Sequence, residues 1–140
     1  MKLFIFLFLF LGSFSCFAQN ANLRVQINQA NSDNGKILVL VFNSPEGYPE
    51  TIDKAFKRLV LTPKNRQAEF LLENIPSGKY AITVLHDEDE NGKMNTSMMG
   101  FPQEKYGFSN NPKIYLGPPS FEKAAISLGK ETKTIQINLR

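Results

Sequence analysis

Cysteine occurs once in the 140 residues, as Cys16, tryptophan is absent, and His86 is the only histidine. A disulfide framework is therefore excluded, and the usual zinc ligand sets of several Cys and His cannot be assembled. No Gly-x-Ser-x-Gly elbow is present to place a serine nucleophile. Charge of one sign is also scarce. Lys and Arg total 16 against 13 Asp and Glu, a net charge of +3 spread along the chain. That balance gives no electrostatic footprint for nucleic acid or an anionic membrane.

Long apolar runs are scarce too, with one exception at the start. Met1-Lys2 is followed by the unbroken run Leu3–Leu11, and Gly12–Ala18 then turns small and mixed. A charged start, a short apolar stretch and a small residue before the cut describe a cleavable signal peptide over residues 1–18. The run is too short to span a bilayer, which takes roughly 20 residues. A lipoprotein signal ending at Cys16 is disfavoured, because Ser13-Phe14-Ser15 puts a bulky ring where small residues belong. The expected mature chain, 19–140, is exported to the periplasm or secreted, has no transmembrane span and contains no cysteine. It has the size of one domain and must draw its stability from its core, its loops or a bound ion.

Beyond residue 22 the dominant period is two. Leu23, Val25 and Ile27 alternate with polar residues, as in a half-buried strand. Residues 37–42 are apolar on both faces, as a central strand covered on both sides would be. Residues 57–61, 67–72, 79–86, 121–128 and 133–139 also read as strands, and Pro49–Ala55 as one or two helical turns. Tyr80, Ile82, Val84 and His86 share one face of their strand. Residues 87–120 break the alternation and read as one long loop of Gly, Pro, Asn and Ser with embedded aromatics. About seven short strands and no long helix predict an all-β, single-domain β-sandwich, with Greek-key connections the default.

Three stretches occur in order: Pro76-Ser-Gly-Lys-Tyr-Ala with His86-Asp-Glu-Asp-Glu-Asn-Gly-Lys-Met-Asn95, then Gly100-Phe-Pro-Gln-Glu-Lys-Tyr-Gly-Phe-Ser-Asn110, then Gly117-Pro-Pro-Ser-Phe121. Together they resemble the bacterial domain-of-unknown-function family 2141. The resemblance implies a small exported sandwich, similar to prealbumin-like or carboxypeptidase-regulatory-like modules, and supplies no activity. The fold class expected is a prealbumin-like or immunoglobulin-like sandwich. The prealbumin-like hydrolases of purine breakdown rely on several histidines, which this chain lacks. Asn95 stands where the family pattern ends in Asp, which removes one charge from its loop.

That loop holds the chain's most specific chemistry. Asp87-x-Asp89-x-Asn91-Gly92 has the spacing of a calcium loop, in which alternate residues turn oxygens inward and glycine permits the sharp bend. The candidate ligands are Asp87, Asp89, Asn91, the carbonyl of Lys93, and Asn95. Position twelve is Met98 rather than Glu, so a further carboxylate must come from Glu104 or elsewhere, and affinity is expected in the weak class. Two other readings stay open: a solvated acidic hairpin tip and a site for another cation. His86, Phe101, Glu104, Tyr106 and Phe108 are a candidate ligand surface, with the aromatics either stacking on a sugar or peptide or packing the loop. The expected function is a non-enzymatic envelope module that binds an envelope protein, peptide or glycan. The alternative is a metal-assisted hydrolase using His86, Asp87, Asp89 and Glu104.

Overall fold

The computed structural model describes residues 20–140; the expected signal segment, with Cys16, lies outside the described residues. Eight strands are formed: β1 (Asn20–Asn28), β2 (Lys36–Phe42), β3 (Lys57–Leu61), β4 (Ala68–Pro76), β5 (Gly78–Asp87), β6 (Tyr106–Phe108), β7 (Ile126–Leu128) and β8 (Lys133–Asn138). A 3-10 turn covers Ile52–Lys54, and one helical turn, α1, covers Phe121–Ala124. The first sheet has the order β4-β1-β8, and the second has the order β3-β2-β5-β6 with β7 also on β5. This is the expected two-sheet sandwich, with one strand more than the alternation suggests. β8 runs parallel to β1, whereas every other pairing is antiparallel.

Period-two burial drives the assembly. Leu23, Val25 and Ile27 from β1 and Phe70 and Leu72 from β4 face Ile37, Val39 and Val41 from β2 and Tyr80, Ile82 and Val84 from β5. Burying one such aliphatic side chain contributes roughly 1.5–3 kcal/mol, so a one-residue register slip, which would turn the whole set outward, is strongly disfavoured.

The second sheet is covered on its outer face as well. Phe42, Ala81, Phe108, Phe121 and Ala124 form a separate apolar cluster, with Leu40, Tyr48 and Ile114 packed against it. The Tyr48 ring meets Phe42 and Phe121 edge-on, at centroid separations of 5.5 and 5.8 Å. This second core explains why β2 is apolar on both faces. Residues 87–120 are consequently not one long loop. Tyr106–Phe108 pairs with Thr83–Leu85, and Gly107 packs so closely on Ile137 that an added Cβ would lie 2.9 Å from it. Residues 121–124, read as strand from their alternation, form α1, which buries Phe121 and Ala124 in the second core.

The long strands β1, β4 and β5 run between two poles. Asn20 pairs with Pro76 at one pole, and β1 ends eight residues later, at Asn28, at the other. At about 3.3 Å per residue the poles lie roughly 26 Å apart. The pole reached by Asn28, Asp87 and Arg140 is closed by reciprocal backbone bonds between Tyr106 and Arg140, at 3.2 and 3.0 Å.

Candidate functional site

The closed pole carries the acidic loop. It begins with His86, fully buried at the inner end of β5. The Asn31 N–H donates to its Nδ1 at 3.1 Å, which leaves the ring proton on Nε2 to donate to the Asn34 carbonyl at 2.9 Å. The ring thus clamps the 29–35 connection onto β5. Gly35 completes the clamp: its φ is +69°, and a Cβ there would run into the Asp87 carbonyl and the Glu88 backbone. Only glycine fits so close an approach in that conformation.

With the chain held there, Asp87 turns outward into its own loop, nearly fully buried. Its Oδ1 accepts the Asn91 N–H at 3.0 Å and its Oδ2 the Gly92 N–H at 2.8 Å. Gly92, at φ +80°, makes the bend. Asp89 Oδ2 accepts the side-chain amides of Asn91 at 2.9 Å and Asn95 at 2.8 Å. The Asn95 bond, with smaller help from the Asn91 backbone and side chain and from Asp87, holds the Asp89 carboxyl below the usual carboxylate range. The Lys93 N–H is tied to Asn91 Oδ1 at 2.9 Å.

Glu104 reaches the same place from the segment just before β6. It is buried, and its two oxygens accept the Glu88 N–H at 3.0 Å and the Asn95 N–H at 2.9 Å. Carboxylate oxygens of Asp87, Asp89 and Glu104 all lie within 4.8 Å of one another. Among the described residues, the ion pairs are Arg24–Glu69, Lys54–Glu46 and Lys79–Glu122, none of which touches this cluster. Three carboxylates, two of them buried, are therefore held together by N–H dipoles without a neutralising side chain in contact. The Asp87 and Glu104 oxygens each accept one N–H and keep a second lone pair, as does Asp89 Oδ1, whereas Asp89 Oδ2 already takes two. The free lone pairs are a donor set that suits a hard cation.

The candidate residues divide by location. Asp87, Asp89, Asn91, Asn95 and Glu104 are brought together, and Lys93 follows on the same turn. Phe101 is exposed and Tyr106 half-buried; with Glu88, Glu104, Lys105 and Arg140 they line an open cleft of about 450 Å³ beside the cluster. His86 and Phe108 are not on that surface. His86 has both ring nitrogens engaged by backbone, and Phe108 is packed in the second core. Glu88 belongs to the pole although the loop spacing does not select it. Its carboxylate takes the Ser32 hydroxyl at 2.6 Å and the Asn31 amide at 3.0 Å. The Ser32 bond leads in lowering its pKa, followed by that of Asn31. No sequence signal marks these partners, because they lie more than fifty residues away along the chain.

The three resembling stretches acquire physical roles in this setting. His86-Asp87 clamp and open the acidic loop, Gly107-Phe108-Ser109 seat β6, and Phe121 fills the second core. No helix among the described residues is long and apolar enough to cross a membrane. No curated protein and no solved structure gives a match. A family model does match, over residues 25–136, so the chain belongs to the family described as an uncharacterized protein conserved in bacteria (DUF2141).

Proposed function

We propose that this protein is an exported, non-enzymatic β-sandwich module of the bacterial envelope, periplasmic or secreted, whose acidic pole takes a calcium ion and presents the neighbouring cleft to an envelope protein, peptide or glycan. One observation carries the calcium reading: the carboxylates of Asp87, Asp89 and Glu104 converge within 4.8 Å with no basic side chain in contact among the described residues. Glu104 supplies the carboxylate that Met98 does not at the twelfth loop position. Asn91 and Asn95, whose amide nitrogens donate to Asp89, carry amide oxygens on the same carbons for further ligation. The ion would relieve repulsion among these carboxylates and fasten the 88–105 segment to β5.

The non-enzymatic reading is supported by His86. A general base needs a nitrogen facing substrate, and both of its nitrogens are committed to backbone partners inside the protein. Aromatic and cationic groups lining the cleft suit recognition of a flat or acidic ligand.

Thermal melts in EDTA, calcium and zinc test this. A site of ~10⁻⁴ M affinity at millimolar calcium adds about 1.4 kcal/mol, which raises Tm by roughly 5 °C for a domain of this size. Asp89→Ala, at an exposed position, is expected to abolish the calcium shift while leaving the EDTA melt nearly unchanged. No calcium shift in the parent protein, or one that survives Asp89→Ala, refutes the ligand assignment. Stoichiometric zinc retained on purification favours the hydrolase instead.

A further inference from the structure

Beyond the acidic cluster, the segment 96–102 forms a tight turn with three large apolar side chains in water. Met98 is 106% exposed, Met99 82% and Phe101 63%. The turn is well tied. Thr96 and Pro102 form a β-bridge, and the Ser97 N–H donates to the Phe101 carbonyl at 2.8 Å. The Gly100 N–H donates to the Ser97 carbonyl at 2.9 Å, and the Phe101 N–H to Ser97 Oγ at 3.2 Å. None of these bonds involves a methionine side chain. The thioethers are thus held outward by a frame that does not depend on them.

We propose that Met98 and Met99 are a reversible oxidation site whose substrate is a two-electron oxidant of the peroxide class. A sulfur lone pair attacks the terminal peroxide oxygen, and an S–O bond forms as the O–O bond breaks. The proton on the transferred oxygen passes through solvent to the departing oxygen, which leaves as water or alcohol. The sulfur is oxidised by two electrons and the peroxide is reduced by two. A thiol-dependent reductase returns the two electrons and releases the oxygen as water. Sulfoxide formation disrupts a protein when the thioether was packed in a core, because a polar S=O then needs solvation it cannot find. At this turn the product meets water directly, so the surface becomes polar while the fold is untouched. Met94, the third methionine among the described residues, is only partly exposed and serves as an internal reference.

The test titrates the purified protein with hydrogen peroxide, natively and in urea, and follows each methionine by peptide mass. Native Met98 and Met99 are expected to gain oxygen at nearly their unfolded rates and roughly threefold or more faster than native Met94. The doubly oxidised protein is expected to keep its Tm, to elute earlier from a hydrophobic-interaction column, and to recover its retention after methionine sulfoxide reductase. The variant carrying Met98→Leu and Met99→Leu should lose this rapid oxygen uptake and stay folded. Native protection of Met98 and Met99, oxidation no faster than Met94, or a fall in Tm on their oxidation would each overturn the proposal.

Discussion

Replacing Ser109 by alanine should unseat β6 from inside the protein. The serine is fully buried, and its hydroxyl works in both directions. It accepts the Ile82 N–H at 2.8 Å and donates to the Ala124 carbonyl at 2.6 Å, joining β5 to the end of α1. Alanine fits the space but leaves one buried donor and one buried acceptor unpaired, and each such orphan costs about 1–3 kcal/mol. The expected loss is therefore about 2–6 kcal/mol, or a fall in Tm on the order of 10 °C. Urea melts of the two proteins measure it directly, and an unchanged m-value would show that the folded state has kept its extent. Ser127→Ala, at an exposed position of β7, is the control and should change stability by less than about 0.5 kcal/mol. A loss below about 1 kcal/mol for Ser109→Ala would refute the assignment of this hydroxyl as an obligatory link.

Two further substitutions probe the clamp and the second core. Gly35→Ala should destabilise by well over the ~1 kcal/mol expected from its positive φ alone, and should speed hydrogen exchange at 87–92, because the new Cβ meets backbone. Gly92→Ala, with equally positive φ but open space around it, should lose only about 1 kcal/mol in matched urea melts. The Tyr48 hydroxyl is buried with no hydrogen-bond partner among the described residues, so Tyr48→Phe should gain about 1 kcal/mol. Burial pushes Tyr48 above the ordinary tyrosine value of 10.0, so the folded state favours the neutral phenol. Its contribution is full below pH 10 and is lost as the pH rises, when the unfolded chain ionises first. Stability should accordingly decline by up to about 1.4 kcal/mol per pH unit above that point on account of Tyr48. Tyr48→Phe should flatten the decline in alkaline urea melts, leaving the part due to Tyr80, which burial raises likewise.

The strands that bury one face were legible because alternation records the face directly: Leu23-Val25-Ile27 and Tyr80-Ile82-Val84 both point where their period places them. The doubly apolar β2 announced a covered sheet without saying what covers it. The cover is Tyr48, Phe108 and Phe121, drawn from segments whose spacing has no period. β6 has no signature in the sequence, because three residues around a glycine carry no alternation, and the approach of Glu104 to Asp87 depends on it. The acidic loop itself was visible as Asp-x-Asp-x-Asn-Gly, since its geometry is local. The bonds that tether the Glu88 carboxylate to Asn31 and Ser32, and the clamp from Asn31 and Gly35, depend on contacts across the fold. His86 lies on the inner face, as the parity of its strand predicts, with both ring nitrogens bonded to backbone.

The separation of the strand ends has a practical side for anyone handling the protein. A capture tag, dye or surface linkage placed before Asn20 would emerge at the Pro76 end, with the carboxylates directed to the free solution. A peptide fused after Arg140 would instead begin against Tyr106, in the mouth of the cleft shared with Glu104. Ion titrations and partner screens made with a carboxy-terminal handle would therefore be performed on a partly obstructed pole.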